Sequence, residues 1–302
     1  MRILITGSSG FIGSNLTKQL ADKHLCFAPT HQELDLLSCH DVEQYCLKNS
    51  ISMIIHCASV GGRRSTNYDA NANNGIVEQN IRMFVNLVRT KLPIINMGSG
   101  AEYYTVYPYT EQGVKEGDIE FQYPPQNAYG FSKYAISKMI NNNQQHIINL
   151  RLFGVFGPGE DYNFRFISNT IVRMLFNLPI EIQSDKWFSY LYIDDLVKVI
   201  NWFIDHKNKC KFNTFNVSPQ CYRLSDIASL VNRIMATNIP ISIKASANMY
   251  YCGNSDKLKK TTKIEFEPIY VSILKLIEYY KKTIDTIDKD TIIRDEAAKF
   301  CK

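Results

Sequence analysis

The first twenty residues constrain the fold of this chain more than any other stretch. A short apolar run at residues 2–6 is followed by Gly7, Gly10 and Gly13, and a helical pattern of apolar residues then continues to about Leu20. This order predicts a β-strand, a tight glycine turn and an α-helix. Gly7 would permit the turn, Gly10 would let the backbone approach a pyrophosphate, and Gly13 would allow the helix to pack closely. The three glycines therefore predict a dinucleotide site near the N-terminus.

Strand-like and helix-like segments continue to alternate through the first half of the chain. Further strands are predicted at about 25–28, 51–56, 94–97 and 146–152, with helices at about 40–47, at 76–89 and around residue 129. Such alternation is typical of an α/β protein with a doubly wound parallel sheet. We expect a Rossmann-type dinucleotide-binding domain at residues 1–160, its sheet completed by later strands. Because the alternation loosens afterwards, we expect a smaller substrate-binding lobe at 161–285 and a peripheral tail at 286–302.

Composition excludes several classes of function. The formal net charge of the 302 residues is +5, and the excess lysines lie in the second half without the basic, aromatic-rich stripe that nucleic-acid binding needs. The eight cysteines are scattered with no Cys-x-x-Cys pair, so we expect neither a metal site nor disulfides. With no signal peptide and no run apolar enough to cross a membrane, we expect a soluble, cytoplasmic protein.

A candidate catalytic pair lies in the helix predicted around residue 129. Tyr129 and Lys133 are four residues apart, so they share one helix face. An ammonium beside a phenol stabilises the phenolate, which suits a general acid for carbonyl reduction. Ser99 follows a predicted strand, and its hydroxyl would hydrogen-bond the same substrate oxygen. Ser99, Tyr129 and Lys133 are therefore the predicted catalytic residues.

With these motifs in this order, the chain resembles the extended short-chain dehydrogenase/reductase family over residues 1 to about 282. Further matching stretches are Asp35-Leu36, His56–Ser59, Arg151–Pro158, Tyr192–Leu196, Phe215–Val217 and Gly253–Leu258. The resemblance implies a Rossmann domain that binds NAD or NADP, a C-terminal lobe that binds a nucleotide sugar, and a homodimer. It assigns cofactor contacts to Gly7, Gly10, Phe11, Ile12, Gly13, Asp35, Leu36, Ala58, Tyr129, Lys133, Phe153 and Val155.

Departures from the family pattern indicate which reaction to expect. The family's 4,6-dehydratases carry an Asp and a Glu directly after the hydroxyl residue, where this chain has Gly100 and Ala101. Its GDP-fucose synthases place a Cys at the position of Ala101 and a His near that of Asn169. Without those acids and bases, the resemblance implies hydride transfer at one carbon, namely reduction of a 4-keto group on a nucleotide-linked 4-keto-6-deoxy sugar (hexose or heptose) in deoxysugar biosynthesis.

Two alternatives to this reduction stay open. A nucleotide-sugar 4-epimerase with tightly bound NAD would use the same three catalytic residues. A non-catalytic, cofactor-sensing protein of the same fold is disfavoured, because such proteins usually lose the Tyr or the Lys, and this chain keeps Tyr129 and Lys133.

Cofactor and substrate contacts are less clearly encoded. The second strand ends in residues 28–31, with no acid to bind a ribose 2′-hydroxyl, so NADP is preferred over NAD. Arg63 and Arg64 are predicted to meet the sugar or its diphosphate. Phe188 occupies a position where the family often has an arginine, so Lys186 or Lys257 is predicted to supply that positive charge.

Overall fold

The computed structural model describes residues 1–62, 75–103, 112–121, 123–141, 146–206 and 214–294. The first half contains β1 Arg2–Thr6, α1 Phe11–Leu20, β2 Leu25–Phe27, α2 Cys39–Lys48, β3 Met53–His56, α3 Ile76–Arg89, β4 Ile94–Ser99, α4 Ala128–Asn141 and β5 Ile147–Leu152. Short 3₁₀ helices span Gly100–Glu102 and Glu116–Phe121.

Further strands and helices follow in the rest of the described chain. These are β6 Gly154–Phe156, α5 Phe166–Leu175, β7 Ile180–Ile182, β8 Asp185–Tyr192, α6 Ile193–His206, β9 Thr214–Val217, β10 Cys221–Arg223, α7 Leu224–Met235, β11 Ile241–Ile243, β12 Ser246–Tyr251, α8 Asp256–Thr262, α9 Ile269–Lys282 and α10 Lys289–Ile293.

A six-stranded parallel sheet in the order β2-β1-β3-β4-β5-β9 forms the centre of the molecule, which confirms the predicted doubly wound α/β fold. All residues of β3, β4 and β5 are buried. Their isoleucine-rich sequences suit this, because a parallel sheet is covered on both faces. The chain order reverses between β1 and β3, so a ligand crevice is expected outside the carboxyl ends of these two strands.

Helices cover the two faces of this sheet in separate layers. One apolar cluster joins Val42 of α2 and Phe84 of α3 to Ile136 of α4. The larger cluster runs from α1 through α5, α6 and α7 to Ile273 of α9, without a break between the sheet and the smaller lobe. The lobe is therefore packed onto the sheet by a shared core.

The smaller lobe is built around β8. Strand β6 pairs with its second half, and β10 and β12 pair with its first half from opposite sides. The segment after residue 283 docks on α5, where Arg173 Nη1 donates to the Ile292 carbonyl at 3.1 Å. This lobe lies beside the carboxyl ends of the central strands, because β6 follows β5 directly.

Cysteine pairing differs from the sequence prediction. Cys221 in β10 and Cys252 after β12 form a disulfide, with Cα atoms 6.0 Å apart. The prediction that all cysteines are unpaired is wrong for these two, because residues 31 positions apart come together through β8, which their spacing in the sequence does not reveal. Cys210 and Cys301 lie outside the described residues.

In the described parts of the chain, no three His, Cys, Asp or Glu side chains are grouped so as to hold a metal ion. None of the helices in those parts combines the length and apolar character needed to cross a bilayer.

Candidate active site

The glycine turn joins β1 to α1 at the sheet's reversal point. Gly7 has φ +66°, a backbone conformation that L side chains rarely adopt, and a Cβ placed on it would lie 2.6 Å from the Ala58 amide nitrogen. A Cβ on Gly13 would lie 2.2 Å from the Gly7 carbonyl oxygen. Because these glycines have no side chain, the backbones of β1, α1 and the segment after β3 contact one another directly.

The start of α1 is suited to bind a phosphate group. Gly10 is the N-cap residue and supplies no side-chain hydrogen bond, so the first backbone N–H groups of the helix, including those of Phe11 and Ile12, have no side-chain cap. A Cβ on Gly10 would meet only the Gly7 carbonyl, at 3.3 Å. Bare backbone, helix dipole and exposed N–H groups together fit the pyrophosphate of a dinucleotide.

Three further residues that are predicted to contact the cofactor are Asp35, Leu36 and Ala58. Asp35 Oδ1 accepts a hydrogen bond from the Leu37 amide at 2.9 Å. The Leu36 carbonyl accepts one from Asn86 Nδ2 at 2.9 Å. The Ala58 amide donates to Thr6 Oγ1 at 3.2 Å. These bonds fix the backbone at the three predicted cofactor contacts, and the Asp35 carboxylate accepts a hydrogen bond within its own turn.

Ser99 is held in a tight turn at the end of β4. Its amide donates to Glu102 Oε1 at 2.9 Å, and its Oγ accepts from the Ala101 amide at 3.1 Å. This reciprocal pair is a capping box at the start of the 3₁₀ helix Gly100–Glu102. Because an N–H already occupies one lone pair of the hydroxyl, its O–H is left to donate to another oxygen.

Tyr129 and Lys133 lie one turn apart in α4, as the spacing predicts. Lys133 is buried, its Nζ donates to the Met97 carbonyl at 3.0 Å, and it lies 5.8 Å from the Tyr129 ring centroid. Tyr129 is half-buried and packs against Gly62, where a Cβ would come within 3.0 Å of the phenol ring. The strand β4 thus anchors the ammonium beside the phenol.

A glycine in α4 brings the Ser99 turn against the helix that bears Tyr129. A Cβ on Gly130 would lie 2.7 Å from the Ala101 carbonyl oxygen. Phe153, directly after β5, packs against the same turn, since a Cβ on Gly100 would lie 2.5 Å from its ring. Ser99, Tyr129, Lys133 and Phe153 are therefore assembled around the carboxyl ends of β4 and β5. Val155 lies two residues further on, in β6.

Buried groups near the ammonium carry no competing charge. Burial, together with the nearby Lys133 ammonium, lowers the pKa of His56 to about 3, so this imidazole is neutral at physiological pH. Its Nδ1 is 2.8 Å from Thr6 Oγ1. Burial raises the pKa of Cys57 to about 12, which leaves a thiol and not a nucleophilic thiolate. The positive charge at this point belongs to Lys133.

The proposed substrate residues are placed less fully. Arg63 and Arg64 lie outside the described residues. Lys186 lies in β8, on the same face of the strand as Phe188 and Tyr190. That face continues toward the candidate catalytic residues, because Phe188 and Phe153 both contact the Tyr251 ring, with centroids 5.7 and 5.2 Å away.

Three residues that organise the site were missed by the sequence reasoning. The side chain of Asn80 joins the Val60 backbone, through bonds of 2.8 and 2.9 Å, to Ser132 Oγ in α4. Glu102 completes the capping box and is paired with buried Arg151. The Ser-x-x-Glu spacing at 99–102 could have indicated the capping box. Nothing in the local sequence marks Asn80 as a bridge.

Comparisons with known proteins place this geometry in a family. A sequence profile described as the NAD dependent epimerase/dehydratase family matches residues 3–218. ADP-L-glycero-D-manno-heptose-6-epimerase of Brachyspira hyodysenteriae is 26% identical over 252 residues, covering 68% of this chain and 73% of the relative. GDP-L-colitose synthase of Yersinia pseudotuberculosis is 24% identical over 264 residues, covering 78% of this chain and 82% of the relative.

A solved structure supports the fold. That of dTDP-4-dehydrorhamnose reductase from Bacillus anthracis, in complex with NADP, has a TM-score of 0.75 and 18% identity over 92% of this chain and 98% of that one. Because the family profile spans most of the chain, the protein belongs to the NAD-dependent epimerase/dehydratase family, whose members use nicotinamide cofactors to modify nucleotide sugars.

Proposed function

We propose that this protein reduces the 4-keto group of a nucleotide-linked 4-keto-6-deoxy sugar, with NADP(H) as the preferred cofactor. The observation that carries the proposal is the lack of room for a side chain at Gly100. A Cβ there would lie 2.5 Å from the Phe153 ring and 2.9 Å from the Tyr251 hydroxyl. The position directly after Ser99 therefore has no room for the acidic side chain that eliminating water from the sugar would use.

Asn169 supports the same conclusion for epimerisation at C3 and C5. Its Nδ2 donates to the Tyr162 carbonyl at 3.0 Å and lies 3.4 Å from that of Asn163. A carboxamide used in this way cannot shuttle protons as a histidine does. Gly100 and Asn169 thus both favour chemistry at one carbon and its oxygen.

The catalytic residues divide the remaining work between them. The glycine turn and the start of α1 would hold a nicotinamide cofactor, which would supply the hydride when bound. The Ser99 hydroxyl, oriented by the Ala101 amide, donates to the substrate carbonyl oxygen. Tyr129 gives its proton to that oxygen as negative charge develops there. The Lys133 ammonium has three donors, one of which is used by Met97, and its charge stabilises the phenolate that is left behind.

A panel of nucleotide-linked 4-keto-6-deoxy sugars incubated with NADPH or NADH tests the proposal. We expect stoichiometric oxidation of the cofactor, and deuterium from labelled cofactor appearing at C4. Tyr129→Phe should lower kcat by about a hundredfold or more, because general acid catalysis is lost. Recovery of every keto sugar unchanged would overturn the proposal.

A nucleotide-sugar 4-epimerase is the second candidate, since it needs the same three side chains and one of the relatives is named as an epimerase. An epimerase would carry NAD through purification and interconvert two sugars without added cofactor. A reductase would consume one equivalent of NADPH or NADH for each sugar. The homodimer expected from the family resemblance is part of the same proposal, and sedimentation measurements would test it.

A further inference from the structure

Arg151 in β5 is a charged side chain with 0% exposure. Its guanidinium makes four hydrogen bonds. Nε donates to Glu102 Oε2 at 2.5 Å, Nη1 to the Tyr103 hydroxyl at 2.8 Å and to the Glu116 carbonyl at 3.1 Å, and Nη2 to Ser137 Oγ at 2.7 Å. Burying a cation is costly unless its donors are paired, so each of these partners is constrained in turn.

Glu102 uses its two oxygens in different directions. Oε2 accepts from Arg151, while Oε1 accepts from the Ser99 amide at 2.9 Å. The carboxylate is 1% exposed and fits because Gly98 has no side chain, since a Cβ there would lie 2.5 Å from Oε1. The carboxylate therefore connects the backbone of the proposed catalytic serine to a fixed buried cation.

On its other side, Arg151 reaches the helix of the remaining catalytic residues. Ser137, which accepts from Nη2, lies in α4 four residues after Lys133, one helical turn along the same face. Burial lowers the pKa of the Arg151 guanidinium, but Glu102 and Tyr103 together more than offset this, so the pKa is raised and the cation persists. One charged group thus bonds both segments that carry the candidate catalytic residues.

We propose that Glu102 and Arg151 are positioning residues that set where the Ser99 hydroxyl lies relative to Tyr129. They touch neither substrate nor cofactor and act through the Ser99 turn and through Ser137. The inference rests on the proposed function insofar as that function assigns Ser99 to the substrate carbonyl. It goes further by identifying what holds the serine in place.

A double-mutant cycle tests the proposal. In Glu102→Gln, the amide NH₂ cannot accept a hydrogen bond, so the side chain loses its bond either to Arg151 Nε or to the Ser99 amide. We expect kcat to fall by about tenfold or more, with the KM for cofactor changed by less than about twofold. In a Ser99→Ala background, where the hydroxyl is already gone, the same substitution should change kcat by less than about twofold. Multiplicative losses in the two backgrounds would overturn the proposal.

Tyr103→Phe is the matched control. It removes the hydroxyl that bonds Arg151 and Asn216 in the same buried network but leaves the bond between Glu102 and the Ser99 amide in place. We expect it to lower thermal stability without the loss of kcat. If Glu102→Gln does not fold, Glu102→Asp takes its place in the cycle under the same criteria, because its shorter side chain cannot bond both the Ser99 amide and Arg151.

A readout without substrate separates this inference from the proposed function. In the full-length protein, amide hydrogen exchange at Ser99–Ala101 should be faster by about tenfold or more in Glu102→Gln than in wild type or Tyr103→Phe. If the wild-type protein reduces no keto sugar, the proposed function fails, and the exchange rates still decide the positioning role. Unchanged exchange in Glu102→Gln would overturn it.

Discussion

Replacing Gly13 by alanine should damage the fold, whereas the same change at Gly10 should damage only ligand binding. The added Cβ at Gly13 would lie 2.2 Å from the Gly7 carbonyl oxygen and 2.7 Å from its carbon. Both are backbone atoms, and an ordinary carbon–oxygen contact is about 1 Å longer, so α1 must move away from β1 by roughly that distance. Overpacking of this kind costs about 1–3 kcal/mol, partly offset by about 1 kcal/mol of helix propensity gained from alanine.

At Gly10 the nearest atom to the added Cβ lies 3.3 Å away, so the apoprotein should lose less than about 1 kcal/mol. The methyl group would nevertheless occupy the bare surface that a pyrophosphate needs, and the dissociation constant for NADP should rise by about tenfold or more. Gly117→Ala is the control, because nothing lies within 4 Å of a Cβ there.

Urea unfolding of the apoproteins and calorimetric titration with NADP measure the two effects separately. We expect a lowered urea midpoint for Gly13→Ala and a near-normal midpoint with weakened binding for Gly10→Ala. A wild-type midpoint for Gly13→Ala, or a greater loss of stability at Gly10, would refute the reasoning.

Three further predictions follow from buried groups. Burial raises the pKa of Glu160 to about 8 from an ordinary 4.5, so the native state holds a proton that the unfolded state releases, and the stability that Glu160 contributes should decline as the pH rises from about 4.5 to 8. The urea midpoint of the wild type should therefore fall relative to that of Glu160→Gln across that range, and a constant difference would contradict this. The comparison removes the opposite effect of His56, whose lowered pKa makes stability rise with pH in both proteins. Asn80→Ala leaves the Val60 amide and carbonyl without their partner and should lower the free energy of unfolding by about 1–3 kcal/mol. Thermal unfolding measures this, and a melting temperature equal to that of the wild type would contradict it. The bond between Cys221 and Cys252 closes a loop with a sequence separation of 31, so a reductant should destabilise the wild type by about 3–4 kcal/mol. The same reductant should leave the stability of Cys221→Ser unchanged. Peptide mapping that finds both thiols free in the untreated protein would contradict this prediction.

The sequence predicted the central sheet well because its signals are local. The pattern at residues 76–89 predicts α3 with the bounds that the structure has, since its apolar side chains recur at helical spacing. The isoleucine runs at Ile94 and Ile147 marked buried parallel strands in the same way. The spacing of Gly7, Gly10 and Gly13 after an apolar run was enough to predict the turn.

Features that depend on distant partners could not be predicted in this way. The short strands β7 and β11 pair with each other across about sixty residues, and their three-residue sequences carry no usable periodicity. Arg151 lies in an apolar strand, but its pairing with Glu102, 49 residues earlier, depends on how β4 and β5 align. Positions of this kind require the three-dimensional register.

The sixth strand of the central sheet has a consequence for how this protein can be divided. The chain leaves the central sheet after β5, forms α5, α6 and the strands between them, and only then returns to the sheet as β9. Phe215 and Val217 of β9 are fully buried, and the strand pairs with β5. A fragment ending near residue 160 would lack that strand and expose the backbone edge of β5, which invites aggregation. The two lobes are therefore not exchangeable modules. Chimeras that exchange the smaller lobe between relatives must carry β9 with it, and unfolding should proceed as one cooperative event.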